Sequence, residues 1–144
     1  ANMFVTVFLA ELDLNTGKLT AATAGHNPPL LAAAGKPYEF LKLKPALVLA
    51  AMEHIVYAER EIQFSPGDRI LLYTDGVTEA MSASGELFGE ERLLETLARL
   101  HDGRTARDLA DGLLAAVAEH SQNAEQHDDI TVVVVRAHAG GVAA

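Results

Sequence analysis

Apolar residues in the first half of the chain cluster as they do in strands. Residues 4–13 are rich in β-branched and aromatic side chains, and a second such run, 19–24, follows Asn15-Thr16-Gly17-Lys18. A short Asn/Gly turn between two runs of this kind predicts an antiparallel hairpin. Gly25-His26-Asn27-Pro28-Pro29 then interrupts the pattern, because its prolines fix φ, lack N–H donors and push Asn27 toward an extended backbone. Further short strands are expected over 30–34, 38–43, 46–49 and 57–64, punctuated by Lys36-Pro37 and Lys44-Pro45. Ser65-Pro66-Gly67-Asp68 reads as a turn into a buried strand over 69–74, which ends at Asp75-Gly76.

The apolar period then changes to that of a helix. Over 90–100, Leu93, Leu94, Leu97 and Leu100 share one stripe, and over 105–120 Leu109, Leu113, Leu114 and Val117 do the same. Thr105 is placed to cap the second helix, with Asp108 at the reciprocal position of a capping box. Gly112 weakens that helix by ~1 kcal/mol without ending it. A polar loop over 121–126 leads to a closing strand over 130–136, and the small-residue tail 139–144 is expected to fray. Strands, two helices and a closing strand make one α+β unit with no repeat and no linker.

Composition narrows the classes of function. With 49% hydrophobic residues in 144, the chain can bury a core. Twenty acidic against 11 basic residues give a net charge of −9, which argues against nucleic acid and against contact with an anionic membrane, but not against cations. The absence of cysteine excludes disulfides, thiolate zinc sites and a cysteine nucleophile. No apolar run approaches the ~20 residues of a spanning helix, and no signal-peptide pattern opens the chain, so a cytoplasmic location is expected.

The candidate chemistry joins two distant segments. Asp75 lies at the exit of the strand expected over 69–74, and Asp128-Asp129 at the entrance of the strand expected over 130–136. If those strands pair antiparallel, the carboxylates converge at one sheet edge and must raise their pKa values or share a cation. Hard oxygen donors of this kind suit Mg²⁺ or Mn²⁺, and Gly76 would let the backbone approach such an ion closely. The same residues equally describe an ordinary Asp-Gly turn and a solvated strand start.

Met3-Phe4-Val5-Thr6, Ala24 through Pro29, Pro66-Gly67-Asp68, Tyr73-Thr74-Asp75-Gly76-Val77-Thr78-Glu79, Phe88-Gly89 and Asp128-Asp129-Ile130-Thr131 occur in that order. Together they resemble the SpoIIE-like branch of the PPM (protein phosphatase 2C-type) serine/threonine phosphatases, over roughly residues 3–136. The resemblance implies an antiparallel β-sandwich flanked by helices. It also implies a metal-dependent phosphatase of bacterial signalling that acts on phosphoserine or phosphothreonine proteins, often antagonists of anti-sigma factors. Asp75 and Asp128 match metal ligands of the family, with Gly76 and Asp129 supporting them from behind. In such a site two Mn²⁺ or Mg²⁺ ions activate a bridging water, in keeping with the absence of cysteine.

His26 stands where eukaryotic-type relatives place an Asp that holds an additional metal, so that extra site is expected to be missing. The imidazole has the chemistry of a proton donor to the leaving oxygen. The favoured role for His26 and Asn27 is instead to satisfy backbone groups around the proline turn. Of the remaining histidines (His54, His101, His120, His127 and His138), only His127 adjoins a candidate ligand.

The chain departs from the family in two places. The family's domain begins well before Met3, and that earlier part carries a Gly-Asp motif whose aspartate bridges both metals. Residues 1–137 are therefore expected to be the larger C-terminal part of such a domain, with 138–144 as a flexible tail. Such a piece is expected to be inactive by itself and to expose an apolar face and an edge, which predicts a dimer or swapped oligomer. The family's Pro-Leu-Gly turn is also missing at residues 45–51, so the backbone there should differ. A haloacid-dehalogenase-like reading of Asp75-Gly76 fails because position 73 is Tyr. The alternative of a different class is an inactive phosphatase-like module that binds a signalling partner.

Overall fold

A hairpin opens the fold. β1 (Val7–Leu12) and β2 (Lys18–Ala24) pair antiparallel from Val7↔Ala24 to Leu12↔Leu19. In their turn the Asp13 carboxylate accepts from the N–H groups of Asn15 and Thr16 at 2.8 and 3.2 Å. Those two donors hold its pKa below the usual carboxylate value. Gly17 closes the turn at φ +72°, where an added Cβ would stand 2.6 Å from the Phe64 carbonyl oxygen. The structure, a computed structural model, describes residues 3–100, 105–122, 124–126 and 128–138. His101, His127 and the tail 139–144 lie outside the described residues.

β5 (Arg60–Gln63) joins β2 to complete a three-stranded antiparallel sheet of order β1-β2-β5. A second antiparallel sheet is built from β3 (Leu30–Ala32), β4 (Glu39–Phe40), β6 (Arg69–Tyr73) and β7 (Val132–Arg136), in the order β4-β3-β6-β7. Among the described residues three helices follow β6: the single turn α1 (Asp75–Thr78), then α2 (Gly89–Leu100) and α3 (Ala106–His120).

Alternation along the strands sorts the side chains into two cores. On one face of the second sheet, Leu30, Leu71 and Tyr73 pack with Leu93 and Leu97 of α2 and with Leu113 and Val117 of α3. On its other face, Ile70 and Leu31 meet Leu19, Ile62 and Leu12 of the first sheet, with Phe64 between them. The result is sheet on sheet with helices on the outer face, the expected α+β sandwich. Thr105 caps α3 with the full capping box: Asp108 N–H donates to the Thr105 hydroxyl at 3.1 Å and Thr105 N–H donates to the Asp108 carboxylate at 3.0 Å. α3 runs unbroken through Gly112, as expected.

Several expectations change, among them the strand expected over 57–64, which is confined to β5. Residues 46–49 form no strand; Leu49 makes only an isolated bridge to Val5, its N–H donating to the Val5 carbonyl at 2.9 Å. The strand expected over 38–43 shrinks to β4: Leu41 N–H still donates to the Pro29 carbonyl at 2.8 Å, in register with Leu30↔Phe40, but proline has no N–H to return and the ladder ends there. The turn expected at Asp75-Gly76 is instead the start of α1.

Candidate metal centre

β6 and β7 run antiparallel from Arg69↔Arg136 to Tyr73↔Val132, so the exit of β6 lies beside the entrance of β7. Thr74 extends that pairing by one residue. Its N–H donates to the Thr131 carbonyl at 3.1 Å, its hydroxyl donates to the Asp129 carbonyl at 2.9 Å, and the hydroxyl accepts from Thr131 N–H at 3.0 Å. Thr74 also occupies the N-cap of α1 but makes no side-chain capping bond, its hydroxyl being engaged across the strands.

Gly76 lets the segment before β7 come this close. An added Cβ would stand 2.4 Å from the Asp129 carbonyl oxygen and 3.0 Å from its carbon, closer than any side chain tolerates. The space it leaves is filled by main chain, where the sequence suggested approach to an ion. Asp129 likewise takes part through its carbonyl.

α1 is only one turn long, yet it sets the carboxylates. Asp75 begins it, and Glu79 is its C-cap, with N–H donating to the Asp75 carbonyl at 2.8 Å. Residues four apart on one helical turn share a face. Across from them, the Asp128 carboxylate accepts from Asp129 N–H at 2.7 Å, and the Gln126 side-chain amide donates to the Asp128 carbonyl at 2.8 Å. Asp75, Glu79 and Asp128 thereby each present a carboxylate oxygen, all within 4.8 Å of one another.

Three exposed carboxylates so close together repel unless a proton or a cation intervenes. Among the described residues no basic side chain pairs with any of them; the ion pairs present are Lys18–Glu61, His54–Glu53 and Arg92–Glu86. The donor set is all hard oxygen and open to solvent, which fits Mg²⁺ or Mn²⁺. Tyr73, which ends β6 two residues before Asp75, is buried, and burial pushes its phenol up to about 12, Glu90 adding to the rise and the Asn27 side chain opposing it. That phenol therefore stays neutral.

The structure brings Asp75 and Asp128 together and leaves His26 outside the cluster. The His26 ring meets the Thr6 hydroxyl at 3.1 Å through Nδ1, and its carbonyl accepts from the Thr23 hydroxyl at 3.5 Å. It ties the 25–29 segment to the N-terminal strand, by a side chain where a backbone partner was expected. Glu79 and Thr74 were not singled out from the sequence. Their signal was the four-residue spacing of two acids and a hydroxyl one position before Asp75, legible only once α1 is known to be helical.

The family model described as Stage II sporulation protein E (SpoIIE) matches residues 1–138. The chain is similar to Protein IcfG of Synechocystis sp., 32% identical over 134 residues, covering 92% of this chain and 20% of that protein. It is also similar to the phosphoserine phosphatase RsbU of Bacillus subtilis, 31% identical over 137 residues, covering 94% of this chain and 40% of RsbU. The chain thus spans less than half the length of either relative. Among solved structures, the SiaA-PP2C domain of Pseudomonas aeruginosa superposes with a TM-score of 0.73 at 27% identity, over 91% of this chain and 51% of that one.

Proposed function

The chain belongs to the SpoIIE family, and from that premise we propose that the protein carrying it is a metal-dependent serine/threonine phosphatase of bacterial signalling. The observation that carries this reading is the convergence of Asp75, Glu79 and Asp128 within 4.8 Å. Similarity to the phosphoserine phosphatase RsbU supports the reaction class.

The three carboxylates would hold Mn²⁺ or Mg²⁺. A divalent cation bound there supplies a water nucleophile at neutral pH and neutralises phosphate oxygens. The chain's own contribution is positional. Thr74 and Gly76 fix the distance between α1 and the segment before β7, and the Asp129 N–H orients the Asp128 carboxylate. A further bridging carboxylate, from a Gly-Asp motif preceding Ala1, would complete a two-metal site. His26 is assigned to holding the 25–29 segment. The substrate is a phosphorylated protein, of the type that antagonises anti-sigma factors, and the proposed setting is the cytoplasm. Among the described residues no helix is long and apolar enough to cross a membrane.

In the protein carrying this chain, Asp75→Asn should abolish Mn²⁺-dependent hydrolysis of a phosphoserine peptide and Glu79→Gln should lower it at least about 10-fold, each with an unchanged circular-dichroism spectrum. Wild-type turnover in both variants would overturn the assignment. A wild-type protein that binds phosphopeptides without turnover would instead be a partner-binding module.

A further inference from the structure

Beside the carboxylate cluster lies a groove of about 590 Å³ whose lining includes Gly76, Glu79 and Asp128 themselves. Much of its lining is apolar, with Met81, Leu87, Leu114, Val117 and Ile130 all contributing. Leu87 and Leu114 are 47% and 39% exposed. The groove is also rigid on the side that carries Leu87. Residues 81–87 form a tight reversal, with an isolated bridge between Met81 and Leu87 and with Phe88 N–H donating to the Ala80 carbonyl at 2.8 Å. Arg92 donates to the Leu87 carbonyl at 2.9 Å and pairs with Glu86 at 2.6 Å, and the His120 ring Nε2 meets the Glu86 carbonyl at 2.8 Å. A preformed apolar wall loses little ordering entropy when it takes a ligand.

Continuity with the cluster and charge together choose the occupant. A phosphorylated residue engaged at Asp75, Glu79 and Asp128 through a cation would have its neighbours in the chain over this groove. With Glu79 and Asp128 engaged by a cation, Glu125 is the carboxylate left among the lining residues, and no basic side chain is among the described residues lining the groove. Such a lining gives no counter-charge to an acidic flank. We propose that this groove is a specificity site for the phosphoprotein substrate, seating an apolar side chain close in sequence to the phosphorylated residue. The inference rests on the phosphatase reading above and adds to it the sequence class of the substrate.

The test walks leucine and alanine through the three positions on either side of phosphoserine in a synthetic peptide carrying one lysine. It measures kcat/KM with Mn²⁺ in the protein carrying this chain. The expected result is a preference for leucine over alanine of about tenfold at one position. That preference should fall to about onefold in Leu114→Arg and be reduced in Leu87→Ala, each checked for native melting. Anisotropy of the same peptides, fluorescently labelled, reads the same preference without turnover. Turnover with no leucine preference at any position, or a preference undiminished in both variants, overturns the groove and leaves the phosphatase reading standing. A leucine preference in binding without turnover by the wild-type protein upholds the groove and overturns the phosphatase reading.

Discussion

Gly76 and Thr74 do more for the carboxylate cluster than their size suggests. The first leaves out the one atom that would collide with the Asp129 carbonyl, and the second binds that same carbonyl and the Thr131 N–H through a single hydroxyl. Since the clash at Gly76 is with main chain, a side-chain rotation cannot relieve it. Gly76→Ala should therefore destabilise the protein by about 1–3 kcal/mol, the range for forced overpacking. Chemical denaturation measures this, and an unshifted midpoint would mean that the segment before β7 yields freely. Asp75 and Asp128 could be picked out in the sequence because each stands at the end of a strongly patterned strand. Glu79 could not, because its partnership with Asp75 depends on a helix too short to show a period.

Among the elements, those with a long regular pattern match their expected extents closely. α2 and α3 fall within a residue of the stripes of Leu93, Leu97, Leu109 and Leu113, and the capping box at Thr105 is formed as written. Short apolar runs fared worse. Residues 46–49 are as apolar as a strand but find no partner ladder, since the chain between them and β5 needs left-handed backbone at Ala50 (φ 62°) and His54 (φ 63°). This is where the family's Pro-Leu-Gly turn is missing. An alanine in the left-handed region carries a steric cost that glycine escapes, partly offset by glycine's greater freedom when unfolded. Ala50→Gly is accordingly expected to stabilise the protein by about 0.5–1 kcal/mol, read as a raised melting temperature. A lowered one would show that the turn is not under strain.

At the scale of the whole molecule, the described residues leave β1 and β5 at the edges of one sheet and β4 and β7 at the edges of the other. Leu9 is 68% exposed on β1, and Val133 and Val135 are 48% and 39% exposed on β7. Unpaired edges bearing such residues invite pairing with another chain. This 144-residue chain by itself is expected to self-associate, and light scattering showing a clean monomer at micromolar concentration would refute it. The sequence by itself determined the order of the elements, the helix that Thr105 begins, the exclusion of cysteine chemistry and the two aspartates at strand ends. Period, capping and side-chain chemistry are local properties, written in residues that neighbour one another. Only the tertiary structure decided that Glu79 completes the cluster, that Gly76 makes room for main chain, and that an apolar groove opens beside the carboxylates. Each of these depends on which segments the β6–β7 pairing and the packing of α3 bring together, and contacts between residues far apart in the chain leave no mark on the pattern of either segment alone.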